Sequence, residues 1–159
     1  MSDLKLTSFL GIEFGATKEV AKEKLLAREG ANFDEENSSE DALYFDGLKF
    51  GGRLTSYIFL LFINDKFAKS VVVFTPKLDA FAIDMYTEIK TEINSKYYTT
   101  KDDFEIYDEP YYKNDGYTES GIRNGNVSFS SYWSFPDQNG GKDDFIGMRI
   151  TEDMQIIIN

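Results

Sequence analysis

Residues Arg53 to Phe74 read RLTSYIFLLFINDKFAKSVVVF, and this stretch decides the fold. Two runs rich in β-branched and aromatic residues, Tyr57 to Ile63 and Phe67 to Phe74, flank Asn64-Asp65-Lys66. Asn and Asp reach positive φ at little cost, so the pattern predicts two strands joined by a tight Asn-Asp turn, a β-hairpin. Residues 57–63 are apolar at every position, which predicts a strand covered on both faces. The run is too short to cross a bilayer, which takes about 20 apolar residues in a helix.

Toward the N-terminus, Gly51-Gly52 turns the hairpin back onto a further strand, Ala42 to Phe50. Residues 31–41 (ANFDEENSSED) are acidic and polar and read as a loop anchored by Phe33. A helix is predicted over 18–29. Thr17 is its N-cap, Glu19 stands in the first turn, Lys22, Lys24 and Arg28 follow, and Gly30 is the C′ residue. Leu6 to Phe14 reads as a short first strand or extended lead-in, broken at Gly15.

Toward the C-terminus, Thr75-Pro76 ends the sheet segment and Asp79 is placed to cap a second helix over 80–97. Ala82, Tyr86, Ile89, Ile93 and Tyr97 recur at spacings of three and four, the stripe of a core-facing helix. Asp103 to Tyr107 is a short strand, and Asp108 to Gly121 a polar, Tyr-rich loop with one more short strand. Val127 to Phe135 alternates cleanly. Val127, Phe129, Ser131, Trp133 and Phe135 share one face, and Ser128, Ser130, Tyr132 and Ser134 the other, as in a half-buried antiparallel strand. Phe145 to Ile150 and Met154 to Ile158 close the chain as two more strands.

The expected fold class is therefore α+β, an antiparallel sheet with helices packed on one face. The chain reads as one domain, 1–159, in which two α-β-β-β repeats can be drawn over 8–78 and 79–159. Laying Arg53 to Phe62 over Asn126 to Phe135 sets Phe59 opposite Tyr132 and Phe62 opposite Phe135.

Composition narrows the function. The chain of 159 residues carries a net charge of −11, which would repel a phosphate backbone, so no nucleic acid is expected as a partner. There is no Cys and no His, which removes thiol and Ser-His-Asp catalysis and zinc sites of the usual ligand type. The N-terminal MSDLKLTSFLGIEFG lacks a basic region followed by an apolar one. A complete chain would be expected in the cytoplasm, and a chain stripped of a signal peptide in the periplasm or outside the cell.

The phrases FLGIEFGATKEVAKEKL, YFDGLKFGG, FINDKFAKSVVVF, YTEIKTEINSKYY and YWSF with IGMRITEDMQIII carry a resemblance. The chain resembles an uncharacterised family of small Bacteroides-type bacterial proteins. That family is similar in layout to the β-lactamase-inhibitor-protein-like (BLIP-like) fold, shared by the SmpA/OmlA outer-membrane assembly lipoproteins. The resemblance implies an antiparallel sheet with helices on one face and, as activity, the binding of a protein. Lys96-Tyr97-Tyr98 stands where the family often has Lys-Tyr-Gly.

Three constellations could carry chemistry. Tyr107, Tyr111, Tyr112 and Tyr117 interleave with acids in a loop suited to recognising a partner or a sugar. Ser130 and Tyr132, on the open side of their strand, would extend that surface. Asp137-Gln138-Asn139-Gly140 with Asp143 and Asp144 lacks EF-hand spacing and reads as a polar hairpin, so no metal or cofactor is expected. The leading expectation is a non-enzymatic protein-binding or inhibitor-like module. The alternatives are an acidic immunity-type protein neutralising a toxin and a small carboxylate-dependent hydrolase, which would need two acids flanking a deep cleft.

Overall fold

The computed structural model describes residues 6–136 and 144–159. The chain is α+β and divides into two compact units, Thr7–Phe74 and Thr75–Ile158.

The N-terminal unit opens with a small hairpin, β1 (Ser8–Phe9) and β2 (Ile12–Glu13), followed by α1 (Lys18–Leu26). Then come β3 (Asn32–Ser39), β4 (Ala42–Asp46), the two-residue strands β5 (Lys49–Phe50) and β6 (Arg53–Leu54), β7 (Tyr57–Ile63) and β8 (Lys66–Phe74). The main sheet runs β3-β4-β7-β8, every pair antiparallel. Asn64 and Asp65 both take positive φ, 51° and 60°, as a hairpin turn matched to strand twist requires. The Asp65 carboxylate also accepts from the Lys18 backbone N–H at 3.1 Å, so the turn holds the first turn of α1. Thr17 caps that helix as its sequence predicts, accepting from the Val20 N–H. Ala21 and Leu25 are its buried residues.

The C-terminal unit also sets a helix before its strands, but it has a second helix between the first two of them and lacks the short hairpins. α2 (Ala82–Lys96) precedes β9 (Asp102–Tyr107), α3 (Thr118–Arg123), β10 (Val127–Phe135), β11 (Asp144–Ile150) and β12 (Ile156–Ile158). Its sheet runs β9-β10-β11-β12, again antiparallel. Ala82, Tyr86, Ile89 and Ile93 are the buried stripe of α2. Tyr86 meets Phe129 edge-on at 5.9 Å, and Asn94 accepts from the Trp133 indole at 2.9 Å, so α2 covers the Val127-Phe129-Trp133 side of β10. Trp133 is fully buried and Tyr132 is exposed, the predicted register.

Several expectations are corrected. β7 is covered on one side only. Ile58, Leu60 and Phe62 are buried, while Tyr57, Phe59 and Leu61 are half-exposed, and Tyr57 and Phe59 cluster with the Tyr44 ring. The 31–41 loop is mostly strand β3. As an edge strand it needs no apolar residues outward, and its charges and irregular register blunt the edge. The 108–121 segment carries the helix α3 rather than a strand. Asp79 does not cap α2; it starts a 3-10 turn and binds the Arg123 guanidinium at 2.5 Å. Gly30 lies beyond the end of α1, in the approach to β3. The overlay of 53–62 on 126–135 sets the third strand of one sheet against the second of the other.

Candidate functional site

The C-terminal sheet has a face turned away from α2, and its residues follow from register. Across β9 and β10, Phe104 pairs with Ser130, Ile106 with Ser128 and Asp102 with Tyr132. Across β10 and β11, Tyr132 pairs with Gly147, Ser134 with Phe145 and Ser130 with Arg149. Directly paired residues share a face, so Phe104, Ile106, Tyr132 and Phe145 stand on one surface. Their fractional exposures are 44%, 53%, 39% and 57%, which is high for four large apolar side chains grouped on one sheet.

Gly147 explains the centre of this surface. A Cβ there would lie 3.3 Å from Tyr132 Cε1 and 3.9 Å from Phe145 Cε2. The missing side chain lets the Tyr132 ring lie down on the backbone, with the Phe104 ring edge-on to it at 6.2 Å. The surface is thus a patch of three rings over a glycine, bordered by Ser128, Ser130, Ser134 and the exposed Arg149.

The opposite side of the same strands holds a polar chain. Ser131, fully buried, lies 2.7 Å from Asp103 Oδ1 and 2.5 Å from the Tyr86 hydroxyl. A serine hydroxyl has one proton, and the carboxylate can only accept, so Tyr86 donates to Ser131 and Ser131 donates to Asp103. Lys90 completes the chain at 2.8 Å from Asp103. Partial desolvation pushes the Asp103 carboxyl up, but the bonds from Lys90 and Ser131 and the lysine charge outweigh it, so the group titrates below the ordinary carboxylate range. Burial drives the Tyr86 phenol well above its ordinary value. With its serine sealed in, this chain ties α2 to β9 and β10.

The six residues singled out from sequence separate. Ser130 and Tyr132 lie on the ring-bearing face. Tyr107 points to the other side, its ring edge-on to Phe129 at 6.4 Å and its hydroxyl donating to Glu105. Desolvation, then that hydrogen bond and the Glu105 charge, push its phenol up to about 12. Tyr111 folds back on α3, packing against Gly121 and accepting from Asn124 at 2.8 Å. Tyr112 and Tyr117 are exposed, and both of their backbone N–H groups donate to Asp115, which fixes the loop between them. Tyr107 pairs with Val127. That is five residues along β10 from Tyr132, roughly 17 Å at strand rise. Phe104, Ile106, Phe145 and Gly147 were not among the six.

Two surface pockets lie in the N-terminal unit. One, of about 410 Å³, sits between α1 and β3 and is lined by Lys18, Lys22, Phe33 and Glu35 among others. The other, of about 340 Å³, is lined by Asp34, Tyr44, Asp46 and Tyr57 with neighbouring residues. Among the described residues no cluster of acidic side chains has the makings of a metal site, and no helix is long and apolar enough to cross a membrane. Of the calcium-like segment, residues 137–143 lie outside the described residues, and Asp144 opens β11. No family model, no curated protein and no solved structure matches the chain.

Proposed function

We propose that the protein is a non-enzymatic, inhibitor-like binding module whose C-terminal sheet docks a protein partner. The observation that carries this reading is the group Phe104, Ile106, Tyr132 and Phe145, large apolar side chains exposed together on the face away from α2. Rings set on a rigid sheet bury much area at little entropic cost, which is why aromatic anchors dominate interface energy. The serines and Arg149 around them supply hydrogen bonds at a rim. In each unit a helix precedes a sheet of four antiparallel strands, with α3 interposed in the C-terminal unit, and this supports the two-repeat, BLIP-like layout that the sequence resemblance implies.

The test is an affinity comparison. Once a partner has been captured through a photoreactive side chain at Phe145, Tyr132→Ala should weaken its binding by about 2 kcal/mol or more. The same substitution should cost only about 1 kcal/mol of folding stability, the scale of one cross-strand pair. Unchanged affinity in Tyr132→Ala and in Phe104→Ser would refute the assignment of this face. A loss in Tyr112→Ala or Tyr117→Ala alone would move the site to the loop.

A second reading, an immunity-type protein that neutralises a basic toxin, is favoured by the acids gathered in the first unit. Residues 31–46 hold Asp34, Glu35, Glu36, Glu40, Asp41 and Asp46 and no lysine or arginine.

A further inference from the structure

We propose that the N-terminal sheet carries a pocket for a cationic side chain, an arginine or lysine of the protein partner, between the rings of Tyr44 and Tyr57 and the carboxylates of Asp34 and Asp46. This deepens the binding reading and rests on it only in taking the partner to be a protein.

The pocket, of about 340 Å³, opens on the half-exposed side of β4 and β7, and Asn37 and Ser56 belong to its polar lining. Register builds it. Asp34 pairs with Tyr44, and Asn32 with Asp46, so the two carboxylates stand on one diagonal of the same face. Diagonal neighbours are about 7–8 Å apart, a gap that one guanidinium or ammonium group fills while facing both acids. Tyr44 stacks on Phe59 at 4.8 Å and Tyr57 lies 6.0 Å from the same ring, so Phe59 braces both tyrosines.

The charge state suits a cation. The Asn37 side chain donates to Asp34 at 2.6 Å and the Asn37 backbone N–H donates at 3.2 Å, and these bonds hold the Asp34 carboxyl below its ordinary range. Asp46 is oriented by a hydrogen bond from Asn32 at 3.0 Å. A cation over a tyrosine ring gains from the ring quadrupole, and more so where carboxylates flank it. The pocket's lining includes no lysine or arginine, and the 31–46 segment that supplies both acids contains neither. A sugar could also stack on tyrosine. A glycosidase pocket, however, needs a carboxyl raised in pKa to act as proton donor, and Asp34 is shifted the other way.

The probe is N-acetylarginine amide, titrated into the full isotope-labelled chain and followed by NMR, with maltotriose as the parallel arm. The arginine compound should give saturable shifts of the Tyr44, Asp46 and Tyr57 amides. In the Asp34→Asn, Asp46→Asn double variant, whose spectrum elsewhere should be unchanged, affinity should fall about tenfold or more, the loss of charge-assisted hydrogen bonds. No saturable shift, equal affinity in the double variant, or saturation by maltotriose alone would each overturn the proposal. The probe reads the pocket without any partner, so failure here leaves the Tyr132 surface untouched, and Tyr132→Ala should leave the titration unaltered.

Discussion

At the scale of single residues, Trp133 and Asp103 do the most to fix the C-terminal unit. Trp133 is fully buried, and its indole N–H donates both to Asn94 Oδ1 and to the Tyr98 carbonyl. Trp133→Ala should cost about 3–5 kcal/mol of unfolding free energy, measured by denaturant titration followed by circular dichroism because the only tryptophan is lost. Asp103 gives a pH signature. Its folded pKa lies below its unfolded value, so its contribution is complete above the unfolded pKa of about 3.9 and is lost as pH falls through the folded one. Asp103→Asn should therefore flatten the stability profile in the acid range below pH 4 or so, while wild type loses stability there. Parallel profiles for the two proteins would show that the Lys90–Asp103–Ser131 chain contributes nothing. The alternation around Trp133 made its burial legible in the sequence. Its hydrogen-bond partners were not legible, because Asn94 and Tyr98 reach it only through the packing of α2.

At the scale of elements, strand β9 shows where a sequence reading runs out. The segment DDFEIY alternates, and a period-two pattern with two apolar residues invites the inference that Phe104 and Ile106 face a core. They face outward, and Asp103 and Glu105 lie on the α2 side, where Lys90 and Lys113 reach them. Which face of a strand is inner is set by where the helix lands. The alternation of β10 resolves it there because its two faces differ sharply in polarity. In β7, uniformly apolar, it does not. The approach of Gly30 to Gly47 is a second feature of tertiary origin. Both have positive φ, 80° and 76°, and a Cβ on Gly47 would come 2.0 Å from the Gly30 carbonyl oxygen. Gly47→Ala should destabilise the chain by more than about 1 kcal/mol, since strain and backbone overlap coincide there. Gly52→Ala, at φ 82° but with open space around it, should cost less. Thermal melts of the two variants compare them directly, and equal melting temperatures would mean that the close approach is relieved by a shift.

At the scale of the whole molecule, the two units expose different chemistry on their antiparallel sheets. One offers rings over a glycine with serines and an arginine beside them. The other offers rings between carboxylates in a segment without a basic residue. With a net charge of −11 the chain attracts cationic partners over a Debye length and repels anionic ones. The α+β class, the hairpin and the 127–135 register were legible from periodicity and turn chemistry. The ring-bearing face was only half legible, because Ser130 and Tyr132 declare their side of β10 while Gly147 acquires meaning only beneath Tyr132. The claim that this face binds a protein is tested most directly by site-specific photocrosslinking. The photoreactive residue p-benzoylphenylalanine is placed at Phe145 on the ring-bearing face or at exposed Ser95 on α2, and the chain is irradiated in the cells that produce it. The account predicts one discrete protein adduct from position 145, lost in the Tyr132→Ala background, and none from position 95. Adducts of equal yield from both positions, or an adduct from position 95 alone, would contradict it.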